Sequence, residues 1–349
     1  MELNRADREA TAGSYYEGLI DGGPSDSRSE LTRRLLGESP DWVRFHDIEA
    51  HFDVEGDFLQ FELHPNFDHI VFGSRFTTNA HGLRDRDYSV RKPKGTYRIL
   101  LLGSSIDMGW GVSTETTYEN QLERWLNRRA ALLGISRRFE VLNLAVAAYS
   151  PMHRLERFRR LGGCFEPDLV IYSATMLDPK LLELHLANVL RDRIDPPDRF
   201  VTEAFARAGI TNADLARDAD EELIRRETVK KKLGAVLWPM IDQTLAALRA
   251  ECDRIGAPLV YQIVPRVGKA DAPDVRAEPV ARHRRIAASH ADWTVDLTPT
   301  FDDIDQTKLE ISPWDDHPNA RGHQLLFEAL AHAIADDPSL YWTIFGVGP

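Results

Sequence analysis

From residue 97 onward the chain alternates short, continuous apolar runs with longer amphipathic stretches. The runs are "YRILLL" (97–102), "FEVLNLAV" (139–146), "DLVIYSA" (168–174), "APLVYQIVP" (257–265) and the shorter "WTVDLTP" (293–299). A run that is apolar at nearly every position suits a strand buried on both faces. Between the runs, "TYENQLERWLNRRAALL" (117–133) places Leu122, Trp125, Leu126 and Leu133 at helical spacing. "MHRLERFRRLGG" is a helix closed by glycine, and "NARGHQLLFEALAHAIA" (319–335) is a closing amphipathic helix. Five buried strands separated by helices predict a parallel sheet with helices on both faces. Right-handed crossovers then bring every strand's C-terminal end to one edge, where open sheets of this kind bind ligands.

Residues before this pattern are of another kind. "SYYEGLIDGG" and "SELTRRLLG" in the first 40 residues read as short helices ending in glycine. "FLQFELHPNF" and "HIVFGSRFTTN" alternate apolar with polar residues and read as short strands, and "RKPKGTYR" reads as a linker. The predicted organisation is an N-terminal helical and β-strand extension over 1–95 and a main domain over 96–340. A charged helical insertion at about 179–235 is longer than a crossover needs, and reads equally as a lid, a partner surface or a decoration.

The net charge of −12 argues against binding nucleic acid or an anionic membrane, both of which need basic surface. Arg124, Arg128, Arg129, Arg137 and Arg138 read as the solvated face and end of a helix. The acidic, polar beginning of the sequence does not resemble a signal peptide, and no apolar stretch is long enough to span a membrane. Two cysteines give no disulfide framework, so the expected location is the cytoplasm. No Cys/His cluster has metal-ligand spacing and no Gly-x-Gly-x-x-Gly follows a strand, so neither a metal nor another cofactor is expected.

Two segments could carry chemistry. "LLGSSIDMGWGV" (101–112) follows the first strand, and its Gly103 permits a tight turn that exposes Ser105. A serine there reads as a turn or cap residue unless a base stands nearby. "SPWDDHPNARGH" (312–323) supplies a candidate, His317, in the loop before the last helix, with Pro318 and Asn319 suited to a helix start. Asp315, two residues before His317, can hold one imidazole nitrogen and leave the other facing outward as a base, whereas the adjacent Asp316 would have to fold back on its neighbour. Asp107 reads as a turn cap or a substrate contact, and Trp110 as a pocket floor or a packed aromatic. His323 reads as packed within the last helix, and His153 and His185 as surface residues.

These segments together resemble the SGNH, or GDSL, hydrolases. "LLGSSIDMGWGV…TYENQLERWL" resembles the first block of that family, "NLAVAAYS" (143–150) the second, and "DDHPNARGHQLLFEAL" the last, while "TTNAHGLRDRDY" (77–88) resembles the lead-in of one branch. "PDLVIYSATMLDP" (167–179) stands at the third block. The resemblance implies a flavodoxin-like three-layer α/β/α fold and a serine hydrolase that cleaves a small-molecule carboxylic ester, as an esterase, lipase-like enzyme or deacetylase. It implies a Ser105 nucleophile, a His317 base, an Asp315 orienting acid, and backbone oxyanion donors at Ser105 and Ala148. The family's acid before the nucleophile is Ser104 here, at a position that braces the turn. Its third-block asparagine aligns with Leu177, which cannot donate, so Thr175 or Ser173 would have to substitute. The alternatives are a non-catalytic protein of this fold that binds a ligand or partner, and an acyltransferase using the same residues. The oligomeric state is not legible.

Overall fold

A computed structural model of the chain describes residue 43 and residues 45–215, 222–268, 272–313 and 315–349. The two helices read within the first 40 residues lie outside the described residues.

The centre of the molecule is a five-stranded parallel sheet made of β5 (Thr96–Leu102), β6 (Arg138–Asn143), β7 (Leu169–Ala174), β8 (Leu259–Ile263) and β9 (Trp293–Asp296), in the order β6-β5-β7-β8-β9. Chain direction across the sheet therefore reverses between β5 and β7, the kind of position at which open α/β sheets bind ligands beyond the strands' C-terminal ends.

The apolar runs are continuous because each strand feeds two cores. Ile99 and Leu101 of β5, with Leu169 and Ile171 of β7, face α2 (Tyr118–Leu132), α9 (Ala320–Asp336) and α10 (Pro338–Phe345). Leu100, Leu102, Val170 and Tyr172 face the opposite way, towards α3 (Pro151–Arg160), α7 (Leu237–Ile255) and α8 (Pro273–His290). Each such aliphatic side chain contributes about 1.5–3 kcal/mol when fully buried. Local chemistry sets the helix starts. Ser150 caps α3 by accepting from the His153 backbone N–H, with Pro151 at the first helical position. Asn319 caps α9 by accepting from the N–H groups of Arg321 and Gly322.

Two strand readings ran too long. "FEVLNLAV" leaves the ladder at Asn143, yet Leu144 to Tyr149 stay buried as an irregular loop. "WTVDLTP" leaves it at Asp296, where Thr298–Phe301 turns into a 3₁₀ helix around Pro299. Within the insertion, α4 (Asp178–Asp192), α5 (Arg199–Arg207) and α6 (Glu222–Leu233) pack onto the helical layer, with Leu182, Val201, Val229 and Leu233 in its core.

The N-terminal strands form two small antiparallel pairs, β1 (His51–Asp53) with β2 (Phe61–Leu63) and β3 (Asp68–Val71) with β4 (Ser74–Thr77). They lie over the C-terminal edge of the sheet. Phe45, Phe61 and Phe76 share one apolar cluster with Trp110, with Ala145 to Tyr149, and with Leu181 and Leu184. His153 and His185, expected at the surface, are both fully buried there. Their rings stack with centroids 3.5 Å apart, and His185 bonds the Phe58 carbonyl at 2.9 Å. Coverage by the segment around Phe58 and Phe61 removes them from water, and burial pushes the basicity of both imidazoles down.

Candidate active site

Ser105 opens α1 (Ser105–Met108), a single turn directly after β5. Ser105 is half-buried, whereas Ile106, Asp107 and Met108 behind it are buried. Asp107 makes the turn possible. One of its carboxylate oxygens accepts the Ser104 backbone N–H at 2.9 Å, and the other accepts the hydroxyls of Tyr118 and Ser173, each at 2.6 Å. Gln262 Nε2 joins this network by donating to Tyr118 Oη at 2.9 Å. The carboxylate folds so closely over Gly103 that a Cβ there would overlap it. Glycine precedes the serines for that reason, and Ser104 and Asp107 brace the turn together as a reciprocal capping box. Burial raises the affinity of Asp107 for a proton, against the pull of its three donors.

His317 comes from the other end of the sequence. β10 (Glu310–Ser312) pairs with β11 (Asp315–Pro318), and the extended backbone of β11 sends Asp315 and His317 to one side and Asp316 to the other. Asp315 Oδ1 lies 2.5 Å from His317 Nδ1 and also accepts the His317 backbone N–H at 3.1 Å. His317 Nε2 lies 2.7 Å from Ser105 Oγ. Asp316 pairs instead with Arg266. Asp315 and His317 are nearly dry, 3% and 4% exposed. Burial works against both charges, but each stabilises the other's: Asp315 is held below the ordinary carboxyl range, and His317 is raised above the ordinary imidazole value.

The ring nitrogens have defined roles in this geometry. The carboxylate accepts a hydrogen bond from Nδ1–H, so Nε2 is the basic nitrogen turned to the Ser105 hydroxyl. A ring nitrogen of His317 and a carboxylate oxygen each of Asp315 and Asp316 lie within 4.8 Å of one another, and Ser105, Trp110 and Arg266 engage these three residues.

Trp110 is not a pocket floor. It is 1% exposed, and its Nε1–H donates to Asp315 Oδ2 at 3.1 Å. His323 is buried behind α2, where its Nδ1 accepts the Tyr118 backbone N–H at 3.3 Å.

The Ser105 backbone N–H is a first-turn donor with no acceptor inside its helix. Ala148 lies in the buried loop after β6 with φ +63°, in the left-handed region that glycine occupies without cost. Asn143 at the end of β6 ties this loop to the serine turn. Its Oδ1 accepts the Ala145 N–H at 3.0 Å, and its Nδ2 donates to the Asp107 carbonyl at 2.8 Å. The loop after β7 offers no side-chain replacement for a third donor. Ser173 Oγ is committed to Asp107, and Thr175 Oγ1 accepts the Leu177 N–H while contacting Asp178. Asp178 is held by Arg154 at 2.7 Å, both fully buried. Leu177 packs on the apolar cluster that contains Ala148.

Sequence reasoning passed over Asn143, Arg154 and Arg266. The first two lie inside apolar runs or helices, where a polar residue signals a buried partner only once that partner is known.

Among solved structures the chain is similar to several esterases. Psychrotrophic esterase EstA from Pseudoalteromonas sp. aligns at 14% identity and a TM-score of 0.41, over 68% of this chain and 96% of its own. LAE5, an alpha/beta hydrolase enzyme from the metagenome of Lake Arreo, aligns at 18% identity and 0.40, over 68% and 94%. The acetyl-xylooligosaccharide esterase Axe2 from Geobacillus stearmophilus aligns at 14% identity and 0.43, over 69% and 95%. No family model and no curated protein matches the chain.

Proposed function

We propose that this chain is a serine hydrolase of the SGNH type acting on a small-molecule carboxylic ester. The observation that carries the reading is the unbroken relay from Asp315 through His317 to Ser105, at 2.5 and 2.7 Å, on the ligand-binding edge of the sheet. His317 Nε2 takes the Ser105 proton as Oγ attacks the ester carbonyl. Asp315 stabilises the imidazolium that forms. The N–H groups of Ser105 and Ala148 face the developing oxyanion. His317 returns the proton to the leaving alcohol, and an acyl group remains on Ser105 until water, activated by the same imidazole, releases it.

The oxyanion site has two backbone donors and a leucine where a third would stand. Losing one such donor costs about 10²–10³ in rate, roughly 3–4 kcal/mol, which slows an enzyme without silencing it. A non-catalytic ligand-binding role, or acyl transfer to an alcohol, is the second reading, and the specific observation behind it is the commitment of Ser173 and Thr175 elsewhere. The free thiols of Cys164 and Cys252 suit a cytoplasmic location. Among the described residues no helix is long and apolar enough to cross a membrane.

A fluorophosphonate probe tests the proposal. Labelling of the wild type and none of Ser105→Ala supports it, and an unlabelled but folded wild type rejects it. p-Nitrophenyl esters of graded chain length then identify the acyl group.

A further inference from the structure

Arg84 is 1% exposed, and among the described residues no carboxylate lies within ion-pair distance of it. Burial lowers its basicity to about 10. An arginine kept in such a place at that cost should be holding something in position. Its guanidinium lies 4.7 Å over the Phe76 ring and donates from Nη1 to the Met108 carbonyl at 2.7 Å and from Nη2 to the Val112 carbonyl. Those carbonyls bracket Gly109, Trp110 and Gly111. A side chain at Gly109, which has φ +76°, would collide with Arg84 and Thr117. The bracketed indole is also gripped by aromatic edges, with Phe45, Phe72 and Phe76 set 67–89° from its plane at 5.8–6.3 Å. All four holding residues precede the sheet in sequence. The indole they hold is the one that donates to Asp315 Oδ2.

We propose that Trp110 is a positioning residue for the Ser105 chemistry, acting through Asp315, and that Arg84 with Phe45, Phe72 and Phe76 forms the clamp that fixes it. The proposal rests on the serine-hydrolase reading. One carboxylate oxygen on the indole and the other on the imidazole hold Asp315 from two sides, so the base is oriented through a residue that is itself held from ahead of the sheet. A nearby misalignment of the order of 1 Å costs up to about 10² in rate.

Trp110→Phe removes the N–H and keeps an aromatic ring among the edge contacts. Arg84→Met releases the bracket, and Arg84→Lys restores one of its bonds. The charged and titratable groups facing His317 are Asp315, Asp316, Arg266 and, from α9, His323. Without the indole bond Asp315 is held through Oδ1 alone, and its carboxylate sits less firmly against the buried His317 imidazole. In Trp110→Phe and Arg84→Met the His317 imidazole, followed by NMR with labelled histidine, is therefore expected to titrate at lower pH than in the wild type. Its kcat on p-nitrophenyl acetate should fall about tenfold or more with KM unchanged, and Arg84→Lys should recover part of both. A His317 titration that stays in place or moves upward in Trp110→Phe overturns the proposal, because packing alone would leave it unmoved. The titration needs no substrate. A wild type that neither hydrolyses esters nor takes up fluorophosphonate defeats the hydrolase reading, and the titration still decides whether Trp110 orients Asp315.

Discussion

His317 Nε2 meets Ser105 Oγ at 2.7 Å although 212 positions separate the two residues in sequence. The contact pairs a hydroxyl with a nitrogen freed to act as base. Replacing either residue by alanine is expected to lower esterase kcat by about 10⁶. Both variants should keep the wild-type circular dichroism spectrum and melting temperature within a few degrees, since neither side chain carries the core. A variant that retains more than a hundredth of wild-type activity would remove that residue from the mechanism.

The raised basicity of His317 fixes a pH dependence. The imidazolium cannot accept the Ser105 proton, so kcat/KM should rise with pH through a limb centred above the 6.5 of an ordinary imidazole. Asp315→Asn removes the carboxylate and leaves the burial, which moves the limb downward and lowers kcat by about 10⁴. The stability contribution has the opposite sense. The raised His317 stabilises the fold fully below pH 6.5, and that contribution is lost as pH rises through its folded value. The depressed Asp315 contributes above pH 3.8, and its share is lost as pH falls through its folded value. A limb that stays put in Asp315→Asn would show that His317 is tuned by something else.

Leu177 and Ala148 meet in one apolar cluster from two loops, beside the proposed oxyanion site. Leu177→Asn would offer the side-chain amide that the leucine lacks. The expected result is a kcat increase of about tenfold or more, at a stability cost of roughly 1 kcal/mol for the lost apolar contact. Ala148→Gly keeps the N–H and relieves about 1 kcal/mol of left-handed backbone strain, partly offset by the freer unfolded chain. Activity should then be retained and the melting temperature unchanged or slightly raised. Steady-state kinetics and thermal denaturation of the two variants check both expectations. Loss of activity in Ala148→Gly would mean that the methyl group, rather than the amide, matters there.

Gly103→Ala should act on stability through Asp107. The added methyl overlaps the buried carboxylate and must displace it from Ser104, Tyr118 and Ser173. Overpacking together with orphaned buried donors is worth about 2–4 kcal/mol, readable by urea denaturation. A cost below 1 kcal/mol would mean that the turn has room to shift.

The sheet was legible because a strand buried on both faces is apolar at nearly every position, and the readings of β5, β7 and β8 end within two residues of the observed strands. The overlong readings of β6 and β9 share a cause. Apolar character reports burial, and Leu144 to Tyr149 are buried without being extended. The choice of Asp315 over Asp316 as partner of His317 followed from spacing alone, and the alternation of β11 supplies the physical reason. His153 and His185 were misread because what covers them, the segment around Phe58 and Phe61, lies about a hundred residues earlier, and no local pattern carries that information. Arg84 and Trp110 were visible as motif residues, but their connection passes through two carbonyls and one indole N–H, which only coordinates reveal.

His317 sits within β11, just ahead of the cap of α9, and both come late in the order of the chain. On a ribosome Ser105 is therefore made long before the imidazole that meets it, and a nascent or truncated chain would carry the hydroxyl as an ordinary alcohol. The proposed chemistry would then begin only once β11 has been made and has folded into place. Turnover by this protein would also serve as a direct assay of completed synthesis and folding.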